Sequence, residues 1–234
     1  MKILGIDTSS KYCNLAVIEN NDVLIEYTMN GQLKKHSSIL IPTVQEMFNH
    51  IDMKIKDMDG VAITIGPGSF TGLRIGLGAA KGLCYATGIP LVGVYTLDVM
   101  AYPFQNVPGM ICPVLDARKS EVYFALYRGG NDLKKIIGYQ CNSIKELLNT
   151  VLDFKENIYF IGGGILKYEK ILIDSLDKRA FFIKSKSTNL KASDVAFLGM
   201  DKLKKGQTSN ISNISPFYIR KSEAEMAWER KFQK

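Results

Sequence analysis

Two acids and two glycine-rich turns are the residues of this chain whose types and spacing suit chemistry. Asp7 closes an apolar run and is followed by Thr8, Ser9 and Ser10; Asp116 closes a similar run. The Asp7-Thr8-Ser9 stretch reads as a phosphate turn, and Gly162-Gly163-Gly164 as a turn beside the adenosine of the same nucleotide. A competing reading needs no ligand, because tight turns themselves favour Gly, Asp and Ser. The second glycine-rich stretch, ITIGPGSFTGLRIGLGAAKGL, runs from Ile63 to Leu83. It lacks the lysine of a Walker loop, and the spacing of Gly66, Gly68 and Gly72 does not fit the dinucleotide fingerprint. Backbone N–H groups at a helix start there would favour an anion, while Ser69 and Thr71 are equally good capping residues.

The helix that follows carries an unusual pattern. At the helical period, Gly72, Gly76, Ala79 and Ala80 form one stripe of small residues, and Gly78, Gly82 and Ala86 form an adjacent one. Each interior glycine costs a helix about 1 kcal/mol relative to alanine, so packing must compensate. Small residues admit a second backbone at close range. That second element belongs either to the same lobe or to another chain.

Metal and thiol chemistry have little support. His36 and His50 are the only histidines. Leu40 stands where a second ligand at i+4 would be, and His50 lies about 21 Å further along a straight helix. A lone His36 is expected at the surface or as a cap. The cysteines Cys13, Cys84, Cys112 and Cys141 are widely spaced with no CxxC, as expected of buried free thiols in a reducing cytosol. HExxH, GxSxG and Cys/His protease motifs are absent. The net charge is +7 over 234 residues, but no dense basic run with interleaved aromatics occurs, so direct RNA contact is weakly supported. No apolar run is long enough for a transmembrane helix, and the N-terminal run reads as a strand rather than a signal peptide.

The elements that must position these residues come in two matching series. KILGID, CNLAVIE and VLIEYT read as a meander. An amphipathic helix over KKHSSILIPTVQEMFNHI follows, capped by Ser37 or Ser38, with Pro42 in its first turns. GVAITIG is a buried strand, Phe70 to about Ala86 a helix, and PLVGV a further strand. From Ile111 the plan restarts: LDARKSEVYFALY parallels the first meander, and IYFIGGG parallels VAITIGPG. Two lobes are expected, residues 1–101 and 102–234, joined at YPFQNVPG, with the last helix packing back on the first lobe. The expected fold class is α/β: a duplicated actin-like (ASKHA, ribonuclease H-like) two-lobe fold with mixed sheets flanked by helices. By analogy with actin-type proteins, ATP would sit between the lobes and the acids would handle magnesium. Arg118 and Lys119, directly after Asp116, would crowd or neutralise that site.

ILGIDTSS, GPGSFTGLRIGLGAAKGL, LDARKSEVYFALY and PFYIRKSEAEMAWERK together resemble the TsaB (YeaZ) family, over nearly the whole chain. The resemblance implies a bacterial, cytoplasmic, non-catalytic subunit that pairs with a TsaD-type paralogue. With a TsaE-type ATPase, that complex transfers a threonylcarbamoyl group from threonylcarbamoyl-AMP to N6 of the adenosine beside the anticodon in tRNAs reading ANN codons. It implies no metal, no catalytic residue and no resident cofactor, with an adenine nucleotide held weakly or shared at an interface. The residual nucleotide set would be Asp7, Thr8, Ser9, Gly162, Gly163 and Gly164. It also implies docking through N-terminal helices: Phe70, Gly72, Leu73, Gly76, Ala79, Ala80 and Leu83 from one, and Leu40, Val44 and Met47 from the other. The isolated chain is expected to self-pair on that surface, and Gly76→Leu to abolish partner binding with the fold intact. An ATP-dependent phosphotransferase of the sugar-kinase group is the alternative, and a metallopeptidase a more distant one. The C-terminal KSEAEMAWERK reads as a polar helix holding Trp228, either a frayed tail or a contact with partner or tRNA.

Overall fold

The computed structural model describes residues 1–30, 36–183 and 190–220; the C-terminal KSEAEMAWERK stretch, with Trp228, and the Lys34-Lys35 pair lie outside them. The chain forms β1 (Lys2–Asp7), β2 (Tyr12–Glu19), β3 (Asp22–Asn30), α1 (His36–His50), β4 (Gly60–Gly66), α2 (Phe70–Thr87), β5 (Leu91–Tyr95) and α3 (Thr96–Ala101). It continues with β6 (Gly109–Arg118), β7 (Glu121–Gly129), β8 (Lys134–Ser143), α4 (Ile144–Leu152), β9 (Ile158–Ile161), α5 (Glu169–Leu176), β10 (Ala180–Ile183) and α6 (Ala192–Lys204). Short 3₁₀ turns precede and follow α5.

The duplication is visible in the sheets. One has the order β3-β2-β1-β4-β5 and the other β8-β7-β6-β9-β10. In each, a three-stranded antiparallel meander is extended by two parallel strands, which require helical crossovers. β1 is almost wholly apolar and buried because both faces of its sheet are covered. α1 and α2 fill one face through Leu40, Val44, Met47, Leu77 and Cys84. Ser37 and Ser38 fall inside the first turn of α1, which starts at His36, so neither caps it. Pro42 lies in the second turn, two to three residues deeper than a Ser37 or Ser38 cap would place it.

The other face of the first sheet is covered from the far end of the chain. Val195, Ala196 and Met200 of α6 pack on Ile3, Ile18, Ala62 and Val92. The approach is close: a Cβ on Gly5 would stand 2.2 Å from the Ala192 carbonyl oxygen, and one on Gly199 would stand 2.3 Å from Ala62 Cβ. The chain stays on that lobe beyond α6, where the Ser209 amide donates to the Leu91 carbonyl at 2.8 Å. Residues 192–217, placed by sequence in the second lobe, thus lie against the first sheet. No helix among the described residues is long and apolar enough to cross a membrane.

The start of α6 holds a strained charge. Glu26 of β3 accepts from the Ser193 amide at 2.9 Å. Burial pushes the neighbouring Asp194 carboxyl up to about 6; Lys191 opposes that rise and Glu26 adds to it. A pKa raised on folding contributes stability that is present below the unfolded value and lost as pH rises through the folded one. Asp194→Asn is therefore expected to flatten the pH dependence between about 4 and 6, and to stabilise the protein by about 1–2 kcal/mol near neutrality. Urea denaturation of both proteins across that window checks it; parallel curves would refute it.

A second polar cluster joins the lobes. Asp98, on α3, accepts from Tyr127 at 2.5 Å and from Tyr139 at 2.8 Å, and pairs with Lys135 at 2.9 Å. Burial and then the adjacent Asp98 charge push both phenols well above their ordinary range.

Candidate functional site

Asp7 points into the protein. It is fully buried. One carboxylate oxygen accepts from the Ser9 amide at 3.0 Å and the Thr64 hydroxyl at 2.7 Å, and the other accepts from Asn14 Nδ2 at 2.9 Å. These three donors come from the turn itself, β4 and β2, so the acid serves as the knot that ties the β1–β2 turn to the sheet. Thr8 donates to the Gly72 carbonyl at 2.8 Å, and the Ser69 amide donates to the Ser9 carbonyl at 2.6 Å.

The glycines of the motif are accounted for by that turn. A Cβ on Gly68 would stand 2.4 Å from the Ser9 carbonyl oxygen, one on Gly72 2.0 Å from the Thr8 carbonyl oxygen, and one on Gly76 2.1 Å from Thr8 Oγ1. The first small-residue stripe of α2 is a niche for Thr8 and Ser9 of the same lobe. Ser69 also caps α2 by accepting from the Gly72 amide at 3.2 Å. The capping reading of Ser69 holds, and the Ser69 and Gly72 amides are turned to the chain's own atoms.

Several expected docking residues lie within the lobe. Gly72, Leu73, Gly76 and Ala80 on α2, and Leu40, Val44 and Met47 on α1, are buried in the fold. The most apolar face of each amphipathic helix is spent on its own core, so these seven residues cannot present a surface to a partner. Phe70, Ala79 and Leu83 are half-buried at the edge. The second stripe is the open one: a Cβ on Gly78 or Gly82 would meet nothing within 4 Å. Beside it Tyr85 is 84% exposed, and on the neighbouring α1 Ile41 is 47% exposed. Neither was singled out by sequence, although Ile41, an apolar residue in an otherwise polar row, was the available signal.

In the second lobe, Asp116 falls where Asp7 does in the plan, but the turn after it differs. Asp7 pairs with Asn14 across a wide turn, whereas Arg118 pairs with Glu121 across Lys119 and Ser120 alone. Arg118, Lys119 and Ser120 have φ of +64°, +51° and +63°, the left-handed region that side chains disfavour. Asp116 Oδ1 accepts from the Arg118 amide at 3.0 Å and from Lys167 Nζ at 3.1 Å. Partial burial works against its ionisation, but these two donors outweigh it and hold the carboxyl below the usual range. The glycine turn packs on the same strand: a Cβ on Gly162 would stand 2.6 Å from the Val114 carbonyl oxygen, and one on Gly164 2.5 Å from the Leu115 carbonyl carbon. Only Gly163 is open. Asp7, Thr8 and Ser9 are thus built into one lobe and Gly162, Gly163 and Gly164 into the other. Lys167, which neutralises Asp116, was not foreseen.

No group of three or more metal-ligating side chains occurs among the described residues. Leu40, four residues after His36, faces the core, and His50 pairs through Nδ1 with the Tyr27 hydroxyl at 2.5 Å. Cys13, Cys84 and Cys112 are buried free thiols and Cys141 is half-buried. Burial, then the Asp7 charge, pushes Cys13 up to about 12.

Sheet order, duplication and the paired acid turns define an actin-like, ribonuclease H-like two-lobe protein. The ROK hexokinase of Thermus thermophilus shares the fold at a TM-score of 0.55 and 11% identity, covering 87% of this chain and all of that one. YeaZ from Pseudomonas aeruginosa superposes with a TM-score of 0.77 at 20% identity, over 93% of this chain and 99% of that one. The family model for TsaD, tRNA N6-adenosine threonylcarbamoyltransferase, matches residues 30–228. The tRNA threonylcarbamoyladenosine biosynthesis protein TsaB of Bacillus subtilis is 31% identical over 229 residues, covering 97% of this chain and 98% of its own. The chain belongs to the TsaB (YeaZ) family of tRNA threonylcarbamoyladenosine biosynthesis proteins.

Proposed function

We propose that this protein is the non-catalytic, activating subunit of a cytoplasmic complex that installs threonylcarbamoyl on N6 of the adenosine beside the anticodon of tRNAs reading ANN codons. It pairs with a TsaD-type paralogue that carries the chemistry, works with a TsaE-type ATPase, and reaches tRNA through the assembly. The non-catalytic role is supported by what has become of the acids: Asp7 is engaged by Ser9, Thr64 and Asn14, and Asp116 by Lys167. The Asp7 carboxylate is fully buried with both oxygens engaged, and the Asp116 charge is countered by Lys167. An adenine nucleotide enters this reading only as shared with the partner.

The observation that carries the reading is the open face of α2. Gly78 and Gly82 leave a smooth track where a second helix can approach closely, and exposed apolar surface is available at Tyr85 on the same helix and at Ile41 on α1. In the absence of the paralogue the same face pairs with a second copy about a two-fold axis.

Gly82→Arg is expected to abolish the heterodimer. A Cβ at this position has nothing within 4 Å, so the side chain can point outward with the fold retained while close helix approach is blocked. Sedimentation of the variant with the TsaD-type paralogue, against the unsubstituted chain, checks it. Normal heterodimer formation by a folded Gly82→Arg protein would move the docking surface elsewhere.

A further inference from the structure

In open α/β sheets a ligand is received beyond the carboxyl ends of the parallel strands. In this protein that place is taken by the protein's own C-terminal segment. The Phe217 amide donates to the Ile65 carbonyl at 2.6 Å, at the end of β4. Gly66, with φ of +122°, has no side chain to obstruct it: a Cβ there would stand 2.6 Å from the Phe217 carbonyl oxygen. The Phe217 ring wedges edge-on against Tyr95 of β5 at 5.0 Å and Tyr139 of β8 at 5.4 Å, one from each lobe. Tyr218 stacks on Phe70 at 4.9 Å, over the first turn of α2, and accepts from Arg74 Nε at 3.0 Å. Arg220 then crosses to the second lobe and pairs with Glu121, the first residue of β7, at 2.5 Å.

We propose that Phe217–Arg220 is a built-in strap, an internal occupant of the interlobe cleft that fixes the angle between the lobes with no ligand bound. Phe217 touches both lobes, Tyr218 is anchored to the first and Arg220 to the second. The strap covers the start of α2, where Tyr218 stacks on Phe70. A polyphosphate cannot enter there without displacing it. The proposal goes beyond the docking role and stands without it, since the strap lies at the strand ends and the open stripe lies further along α2.

Hydrogen exchange of the full chain, followed by mass spectrometry, tests this. The amide at position 217 reads the strap directly, because its bond to Ile65 must open before it exchanges. Arg220→Ala removes one partly exposed ion pair and leaves both cores untouched, so its folding is not at risk; Phe217→Ala removes the wedge. Both are expected to speed exchange of the peptide spanning position 217 by about tenfold or more while α1, α4 and α5 keep their protection. Magnesium-ATP is expected to leave the exchange of the unsubstituted chain unchanged. Unaltered protection in both variants would overturn the strap. Added protection of residues 65–72 by magnesium-ATP in the unsubstituted chain would overturn its role as occupant.

Discussion

Gly76→Leu is expected to lose about 4 kcal/mol or more of stability, which would lower the melting temperature by about 8–16 °C in a chain of this size. The first added carbon would stand 2.1 Å from Thr8 Oγ1 and 3.2 Å from Ile63 Cδ1, in a region where Asp7, Thr8 and Ile63 are all fully buried. Two relaxations are open to the protein. The β1–β2 turn can lift from α2, which breaks the Thr8–Gly72 and Ser9–Ser69 hydrogen bonds and disturbs the donors around Asp7. Alternatively α2 can move off β4, which opens the core beneath it. Overpacking alone costs about 1–3 kcal/mol, and each buried polar group left unmatched adds about as much. Gly82→Leu is the control. Its side chain enters open space and gains up to about 1 kcal/mol from helix propensity. Thermal unfolding followed by circular dichroism should separate the two widely. A Gly76→Leu protein as stable as the parent would mean that the turn does not seat on this stripe. The result also replaces the expectation drawn from sequence, in which the same substitution spared the fold and removed only the partner.

The second large effect is expected at Asp98. Alanine there leaves the Tyr127 hydroxyl, on a side chain 2% exposed, without its acceptor. It also leaves Lys135 without its counter-ion and the Tyr139 hydroxyl without its acceptor on the opposite lobe. Removing one member of a buried charged cluster costs about 3–5 kcal/mol. The lower end applies here, because Asp98 and Lys135 retain 21% and 34% side-chain exposure. Asp98→Asn keeps an acceptor for one hydroxyl and should fall between the two. Denaturant unfolding of the three proteins gives the order directly. A loss below about 1 kcal/mol for Asp98→Ala would mean that water replaces the carboxylate without penalty.

Much of the architecture was legible because it is written in local signals. The apolar runs ending in Asp7 and Asp116 mark first strands, and GVAITIG followed by PGS marks a strand feeding a capped helix. The same order recurs, and so the two sheets share one topology. The site was less legible. A helical wheel on α2 shows two small-residue stripes side by side, and nothing local says which one its own lobe uses. That choice is made by Thr8, more than sixty residues away from Gly72 in sequence. The apolar faces of α1 and α2 were assigned to a partner, although the core claims such faces first. α6 carries an ordinary set of apolar residues, and only its placement on Gly5 and Ala62 reveals which sheet they cover. Long-range closure of this kind leaves no trace in spacing.

The return of α6 to the first sheet bears on how the protein is born. A ribosome delivers the N-terminal sheet first, but the face formed by Ile3, Ile18, Ala62 and Val92 has no cover until Val195, Ala196 and Met200 emerge. Pairing across so long a stretch is slow, since the intervening chain must be ordered before the contact is rewarded. The nascent first lobe therefore spends most of its synthesis as an open half-sandwich, exposed to chaperones and to like chains. The first sheet is closed on both faces only once α6 has been made, so a message truncated before α6 yields a lobe with that face left bare.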